Sequence, residues 1–287
     1  AFEKAAGMDY NKTVKETAFY NYAVTQAKGS TTPFGSSISL FEKFLNDYPG
    51  SKYTSQVEDY LVDAYMNTAD YDKALASINH IKTPGAKVLK AKQNVLYNLG
   101  VQALQKGKRA TAASYLRSAI AVGNYDKKIQ NESRLWLAQT QYDNSSYKET
   151  VKTLNTYLSN ASRRDDNYGK AYYDLGYAQY KLKNYIAARE AFQKAVNSGK
   201  LDKALVADAY DRIGDTYYYA ADFTNAEASY NRAIANNTGN ADGSMLDKAM
   251  MAGYNKNYQS KIDQLDELLA KYPTSAKAPT ALLEKGR

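Results

Sequence analysis

Cysteine is absent from the 287 residues, so disulfides, thiolate nucleophiles and cysteine-held metals are excluded. A chain without thiols suits the cytosol and equally an envelope protein that avoids thiol chemistry. Histidine occurs once, at His80. A catalytic histidine needs a positioned nucleophile and an orienting partner, and nothing near His80 in the sequence supplies such a set. Its place late in a helical stretch suits a surface histidine near a helix C-terminus, where positive charge is favoured. No run of about 18 apolar residues exists, so no segment reads as a membrane-spanning helix. Nor is there a glycine-rich phosphate loop. The nearest cluster, "GNADG" at Gly239 to Gly243, lacks the lysine and hydroxyl such a loop uses. Long basic blocks are missing too. The 38 Lys and Arg outnumber the 30 Asp and Glu, giving a net charge of +8, but the signs are interspersed, which argues against a nucleic-acid partner.

The aspartates offer little chemistry. Asp9, Asp63, Asp70, Asp202 and Asp222 lie at or near expected helix starts, where capping accounts for them. Asp165 and Asp166, in "RRDDN" at Arg163 to Asn167, read as a solvated turn, since a calcium loop needs more ligands at regular spacing. The reading is of a non-enzymatic protein with no cofactor, no catalytic residue and no metal site.

What is abundant is tyrosine, 28 of the 287 residues, and repetition. The stretches "ADYDKAL" (from Ala69), "SSYKETV" (from Ser145), "KNYIAAR" (from Lys183), "ADFTNAE" (from Ala221) and "KNYQSKI" (from Lys256) align on an aromatic residue. Seven residues after each aromatic stands a bulky apolar group. The full series is Phe41, Ile78, Leu116, Leu154, Phe192, Tyr230 and Leu265, in steps of 37, 38, 38, 38, 38 and 35. Phe2 of "AFEKA" lies 39 residues before Phe41 and joins it, so the chain is expected to start inside the second helix of a repeat and to be a fragment of a longer array.

Within each unit the apolar spacing is helical, as in Ala188, Phe192, Ala195 and Val196, and again in Ala226, Tyr230, Ala233 and Ile234. A second helical stretch precedes each, so a unit is two helices joined by a tight turn. Gly100, Gly176 and Gly214 stand mid-helix, each 12 residues before Ala112, Ala188 and Ala226. Glycine there costs about 1 kcal/mol relative to alanine. The expectation is that each missing side chain meets the small alanine of its partner helix.

"YYDLGYAQYKLKNYIAAREAFQKAV" and "YDRIGDTYYYAADFTNAEASYNRAI" resemble tetratricopeptide repeats, matched by Tyr210, Ile213, Gly214, Tyr217, Ala226, Tyr230 and Ala233. Thr150, Ser37 and Lys261 depart from the pattern where alanine is expected, and "AKGSTTPFGSS" before the helix containing Phe41 reads as a longer turn. The resemblance implies an all-α fold, a right-handed superhelical α-solenoid of about seven helix pairs with partial repeats at both ends. The repeats fall at 1–8 (second helix of a truncated repeat), 9–50, 51–84, 85–123, 124–162, 163–200, 201–238, 239–275 and 276–287 (start of another), all in one solenoid over 1–287. More narrowly, "LFEKFLNDYPGSKY" (Leu40 to Tyr53) and "LDELLAKYPTSAKA" (Leu265 to Ala278) are similar to repeats of bacterial envelope lipoproteins of the outer-membrane-assembly and Tol–Pal-associated kind. That likeness implies an extracytoplasmic setting, periplasmic or outer-membrane associated, with the cytoplasm as the other possibility.

The family resemblance also implies a function, an interaction scaffold that holds a protein or peptide partner along a concave face lined by first helices. The positions it implies are Asn94, Tyr97 and Asn98; Trp136, Gln139 and Tyr142; Tyr173, Tyr177 and Tyr180; Asp211, Asp215 and Tyr218; and Asp59, Tyr60 and Asp63. The Lys and Asn pattern that clamps a C-terminal carboxylate in some members is absent. Two readings of the groove tyrosines stand side by side. They are packing residues whose hydroxyls reach water, or rigid amphipathic rings that form a binding surface. Glycan or peptidoglycan binding on the same rings is the alternative to a peptide, and a structural spacer without a ligand is a third.

Overall fold

The computed structural model describes residues 1–8, 11–29, 35–237 and 239–287, with Ser36 by its backbone alone. The cap expected at Asp9 and much of the longer turn before Phe41 fall outside the described residues. Among those described there are sixteen helices and no strand: α1 (Phe2–Ala6), α2 (Lys12–Gly29), α3 (Ser36–Asp47), α4 (Thr54–Met66), α5 (Tyr71–His80), α6 (Ala86–Gln105), α7 (Arg109–Ala121), α8 (Lys127–Asp143), α9 (Tyr147–Asn160), α10 (Tyr168–Lys181), α11 (Tyr185–Asn197), α12 (Lys203–Tyr218), α13 (Phe223–Asn236), α14 (Asp242–Tyr254), α15 (Tyr258–Lys271) and α16 (Ala278–Lys285). They form two compact units, Ala1–Thr140 and Gln141–Arg287.

In the second unit every helix from α9 to α15 packs on the helix that follows it. Its apolar core is a succession of small clusters, one around Phe192 and Ile213, one around Tyr230 and Met251, one around Leu265 and Leu268. In the first unit α1 to α7 also pack mainly on near neighbours, over a larger cluster that runs from Phe19 to Leu99. This is the all-α arrangement of stacked helix pairs that the repeat requires: each pair hides its apolar faces on the next.

The seven members of the series form a deeply buried line. Phe41, Ile78, Leu116, Leu154, Phe192, Tyr230 and Leu265 are all 0–2% exposed. Each contributes roughly 1.5–3 kcal/mol by burial. Phe2 differs at 46% exposure, because the five-residue α1 rests on α2 and leaves the ring's other side open.

The mid-helix glycines face something other than expected. A Cβ at Gly176 would stand 2.7 Å from the Phe192 ring, one at Gly214 2.5 Å from Tyr230, and one at Gly100 2.8 Å from Leu116. The correction has a simple geometric cause. The residue 16 positions later is long enough to cross to the facing helix, and glycine leaves the recess that receives it. The alanine is a lesser neighbour, seen only as the Ala112 carbonyl 3.6 Å from the Gly100 position.

The tight turn inside a pair is one device used five times. Gly107, Ser145, Lys183, Ala221 and Lys256 all adopt the left-handed conformation, φ +55° to +70°, two residues before the second helix begins. At Lys183 the N–H donates to the Tyr180 carbonyl and the Asn184 N–H to the Gln179 carbonyl, each at 2.9 Å, which satisfies the carbonyls left over at the helix end. Asp70, Asp202 and Asp222 then cap α5, α12 and α13 by accepting from the backbone three residues on. Asp63 does not cap: it lies in the last turn of α4, where its carbonyl accepts from Asn67.

The two "Tyr-Pro-x-Ser" segments share one conformation. Tyr48 and Tyr272 end their helices at φ −132°, each donating its N–H to a carbonyl four residues back at 2.8 Å. Ser51 and Ser275 follow, each accepting on Oγ from the backbone two residues on, at 3.0 and 2.9 Å. Each serine donates to a carboxylate of the preceding first helix, Glu16 on α2 and Asp242 on α14. The motif therefore fixes where the next pair begins.

Candidate functional site

In α10, Tyr173, Tyr177 and Tyr180 recur at i, i+4 and i+7, so they share one face. In α12, Asp208, Arg212 and Asp215 do the same. Stacking α10 on its neighbours brings the two faces together. The Tyr173 and Tyr177 hydroxyls both donate to Asp208 Oδ2, at 2.7 and 2.5 Å, and the Tyr180 hydroxyl donates to Asp215 Oδ2 at 3.2 Å. Tyr230 of α13 donates to Asp215 Oδ1 at 2.9 Å. Arg212 donates to Asp215 and stands 3.9 Å from Asp208. The hydroxyls of Tyr173, Tyr177 and Tyr180 are thus all engaged by carboxylates. The Tyr173 and Tyr177 rings pack edge-on against Phe192, at 5.9 and 5.2 Å between centroids. These two are structural members of the wall.

The network's electrostatics follow from its half-buried position. Burial pushes the Tyr173 and Tyr177 hydroxyls above the ordinary tyrosine value, and the Asp208 carboxylate pushes them further. Burial works against the Arg212 charge, but Asp215 and its neighbours more than offset this and hold the guanidinium protonated. Asp215 is raised by burial, in opposition to Arg212, Tyr230 and Tyr180. Asp211 faces α14 instead, where Ser244 reaches it, and burial lifts it from an ordinary 3.8 to about 6. Folding therefore favours its protonated form. Its contribution to stability is complete below about pH 4 and is lost as the pH rises through about 6. Asp211→Asn stays neutral throughout, so the fall in melting temperature between those pH values should shrink in the variant. An unchanged fall would remove Asp211 as its source.

Beside this network lies an open cavity of about 300 Å³ formed by α10, α12, α13 and α14. Tyr180, Asp215 and Tyr230 line it, as do Tyr218 and Tyr254, which are 38% and 47% exposed and 5.8 Å apart between ring centroids. Asp247 also lines it, on an accessible but concave part of the wall. Burial there raises its carboxyl, as does nearby Asp215.

The remaining sequence-predicted residues are dispersed. In the first unit the Tyr97 hydroxyl meets the Trp136 indole and Glu132, and Trp136 is 43% exposed. Asn94 donates to its own helix at the Lys90 carbonyl, 3.0 Å away; Asn98 is half-buried and Gln139 exposed. Asp59 pairs with Lys87 at 2.6 Å, and Tyr60 stacks on Phe41 at 5.0 Å. In the second unit Tyr142 packs edge-on against Tyr147 at 5.3 Å. His80 ends α5, with its ring exposed and Nδ1 3.1 Å from Glu42 Oε2, a partner 38 residues away in sequence. Asp208, Arg212, Tyr230 and Asp247 were not among the sequence-predicted residues. The i, i+4, i+7 spacing of Asp208, Arg212 and Asp215 was the available signal for the first two. Among the described residues no group of three His, Cys, Asp or Glu is placed to hold a metal, and no helix is long and apolar enough to cross a membrane.

The tetratricopeptide repeat family matches residues 169–198 and 207–239, the α10–α11 and α12–α13 pairs. No curated protein matches the chain. Among solved structures, the C-terminal part of a TPR repeat-containing protein from Cytophaga hutchinsonii is 18% identical, with a TM-score of 0.55, covering 92% of this chain and 99% of its own. MamA is 19% identical, TM-score 0.55, covering 65% of this chain and 94% of its own. YrrB, described as a TPR protein with an unusual peptide-binding site, is 16% identical, TM-score 0.53, covering 65% and 90%. At these identities the likeness is one of fold. The two matched pairs carry tetratricopeptide repeats, and the helical architecture around them is that of proteins built from them.

Proposed function

We propose that this protein is a non-enzymatic scaffold that holds an extended segment of a protein partner, and that the α10–α12–α14 face of its second unit is where the partner lies. One observation carries this: a pre-ordered wall of tyrosines and carboxylates opens directly into a cavity whose other rings are exposed. Rigid rings lose little conformational entropy when a ligand settles on them, which favours them as anchors. YrrB, a protein of like fold, has a peptide-binding site, which supports the reading without locating the site here. The Tyr173, Tyr177 and Tyr180 hydroxyls are already bonded to Asp208 and Asp215, so fewer polar groups are free to take sugar hydroxyls. That favours a peptide over a glycan. In the first unit, exposed Trp136 beside Tyr97 offers a second, separate anchor. We place the scaffold in a bacterial envelope, on the two "Tyr-Pro-x-Ser" motifs and their likeness to envelope lipoproteins; fractionation of the source cell tests this.

The binding test is selection of a random peptide display library on the wild-type protein, with Tyr218→Ala as the counter-screen. Both tyrosine loss and fold integrity can be read, because Tyr218 is 38% exposed and its truncation opens no core cavity. Enriched peptides should bind the variant about tenfold more weakly, equivalent to about 1.4 kcal/mol. Failure to enrich any peptide, or equal binding to the variant, sinks the peptide reading. Retardation on a polysaccharide gel that Tyr218→Ala abolishes would install the glycan alternative instead.

A further inference from the structure

The cavity between α10, α12, α13 and α14 has a chemistry more specific than "aromatic". Ring faces carry the negative part of the aromatic quadrupole and attract cations. Here Tyr180, Tyr218, Tyr230 and Tyr254 surround the space, and the carboxylates of Asp215 and Asp247 stand on its wall. Among the described residues no lysine or arginine lines it. Arg212, behind the wall, is committed to Asp208 and Asp215. Asp247 has neither a hydrogen-bond donor nor an ion-pair partner among the described residues; Lys277 and Arg212 act on it only through space. A chain with a net charge of +8 thus presents, at this one cavity, acidic groups facing an electron-rich recess. At about 300 Å³ the space is at the small end of ligand pockets, suited to one side chain and not to a larger ligand.

We propose that this cavity seats a single cationic side chain, a lysine or arginine of the partner peptide, with its charge on Asp247 and its stem against the Tyr218 and Tyr254 rings. The proposal rests on the peptide-scaffold reading above and names what that site selects. Charge complementarity chooses the occupant: a cation pairs with the Asp247 carboxylate and with the ring faces together, which a neutral or acidic residue does not.

The test uses blocked Gly-Gly-Lys-Gly-Gly, with arginine, norleucine or glutamate replacing lysine in parallel peptides. Each is titrated into the full chain and followed through the methyl signals of Met250 and Met251, which line the cavity in a protein with only five methionines. The lysine and arginine peptides should shift both signals, and norleucine and glutamate should not. Asp247→Asn should weaken the lysine peptide about tenfold, Tyr254→Leu should weaken it several-fold, and Tyr254→Phe should restore it. Asp263→Asn, on the exposed side of α15, controls for general charge and should change nothing. Equal shifts from norleucine, or undiminished binding to Asp247→Asn, overturn the proposal.

The two readings fail separately. Display-selected peptides that bind but carry no basic residue, and bind Asp247→Asn equally well, would leave the scaffold standing and remove the cation seat. Methyl shifts with the lysine peptide, in a protein that enriches no display peptide, would do the reverse. A wild-type dimer that Asp247→Asn dissociates would make a second copy of this chain the cation donor and overturn the partner assignment.

Discussion

Phe192→Ala should lower the stability of the second unit by about 3–5 kcal/mol, the usual range for emptying a fully buried aromatic position. The ring is 0% exposed and touches the recess left by Gly176 on one side and the Tyr173 and Tyr177 rings on the others. Those tyrosines hold Asp208, so the loss should spread into the candidate site rather than stay in the core. In a stack the damage is local, because each pair is stabilised by its neighbours alone. Native-state hydrogen exchange should therefore accelerate first in α10, α11 and α12, with α2 to α5 little changed. Uniform acceleration across both units would contradict a stack and point to one cooperative centre. The recess offers an internal check. Gly176→Ala alone places a methyl 2.7 Å from the ring and should cost about 1–3 kcal/mol by overpacking. Combined with Phe192→Leu the two should cost less than their sum, since the shorter side chain vacates the contested space.

Glu284→Ala should destabilise α16 by about 1–3 kcal/mol, the cost of leaving a covered polar group unpartnered. The position of Lys261 explains why. It occupies the place where Ala74, Ala112, Ala188 and Ala226 sit in other units, each 0% exposed, and is itself only 8% exposed. Its ammonium donates to Glu284 Oε2 at 3.0 Å, which ties α15 to α16. Immediate neighbours cover the pair, leaving each side chain 11% exposed. Water still screens it, so its loss costs less than that of a deep ion pair. Lys261→Ala should cost less than Glu284→Ala, because Arg287 stays 3.0 Å from Glu284 and alanine suits the position. The bond from Lys261, aided by Arg287, holds the Glu284 carboxyl below its ordinary 4.5. A depressed carboxyl contributes stability above that value and loses it as the pH falls through the folded one. Protection of α16 should accordingly drop in acid, and Glu284→Ala should remove that dependence. If α16 protection is the same in wild type and variant at neutral pH, the pair contributes nothing.

The sequence alone determined the stack. A bulky residue every 35 to 38 positions, with helical spacing on either side, marks the buried line, because burial against a neighbouring pair is a short-range demand met in the same way in each unit. Turn aromatics and the capping aspartates Asp70, Asp202 and Asp222 were legible for the same reason, since a cap needs only its own next three residues. Asp63 escaped that logic through a misplaced helix boundary, and the glycines through a misjudged reach, 16 residues rather than 12.

Only the tertiary structure decided which polar groups meet. Tyr173 finds Asp208 across 35 residues, Tyr180 finds Asp215 across 35, Ser275 finds Asp242 across 33 and His80 finds Glu42 across 38. These offsets all fall within a few residues of one repeat period, so the repeat says which unit a partner would stand in. It cannot say what stands there, because the residue types at those positions differ from unit to unit. Hydrophobic burial tolerates any residue of the right size and leaves a pattern, whereas a hydrogen bond depends on one donor and one acceptor meeting within about 3 Å and leaves none.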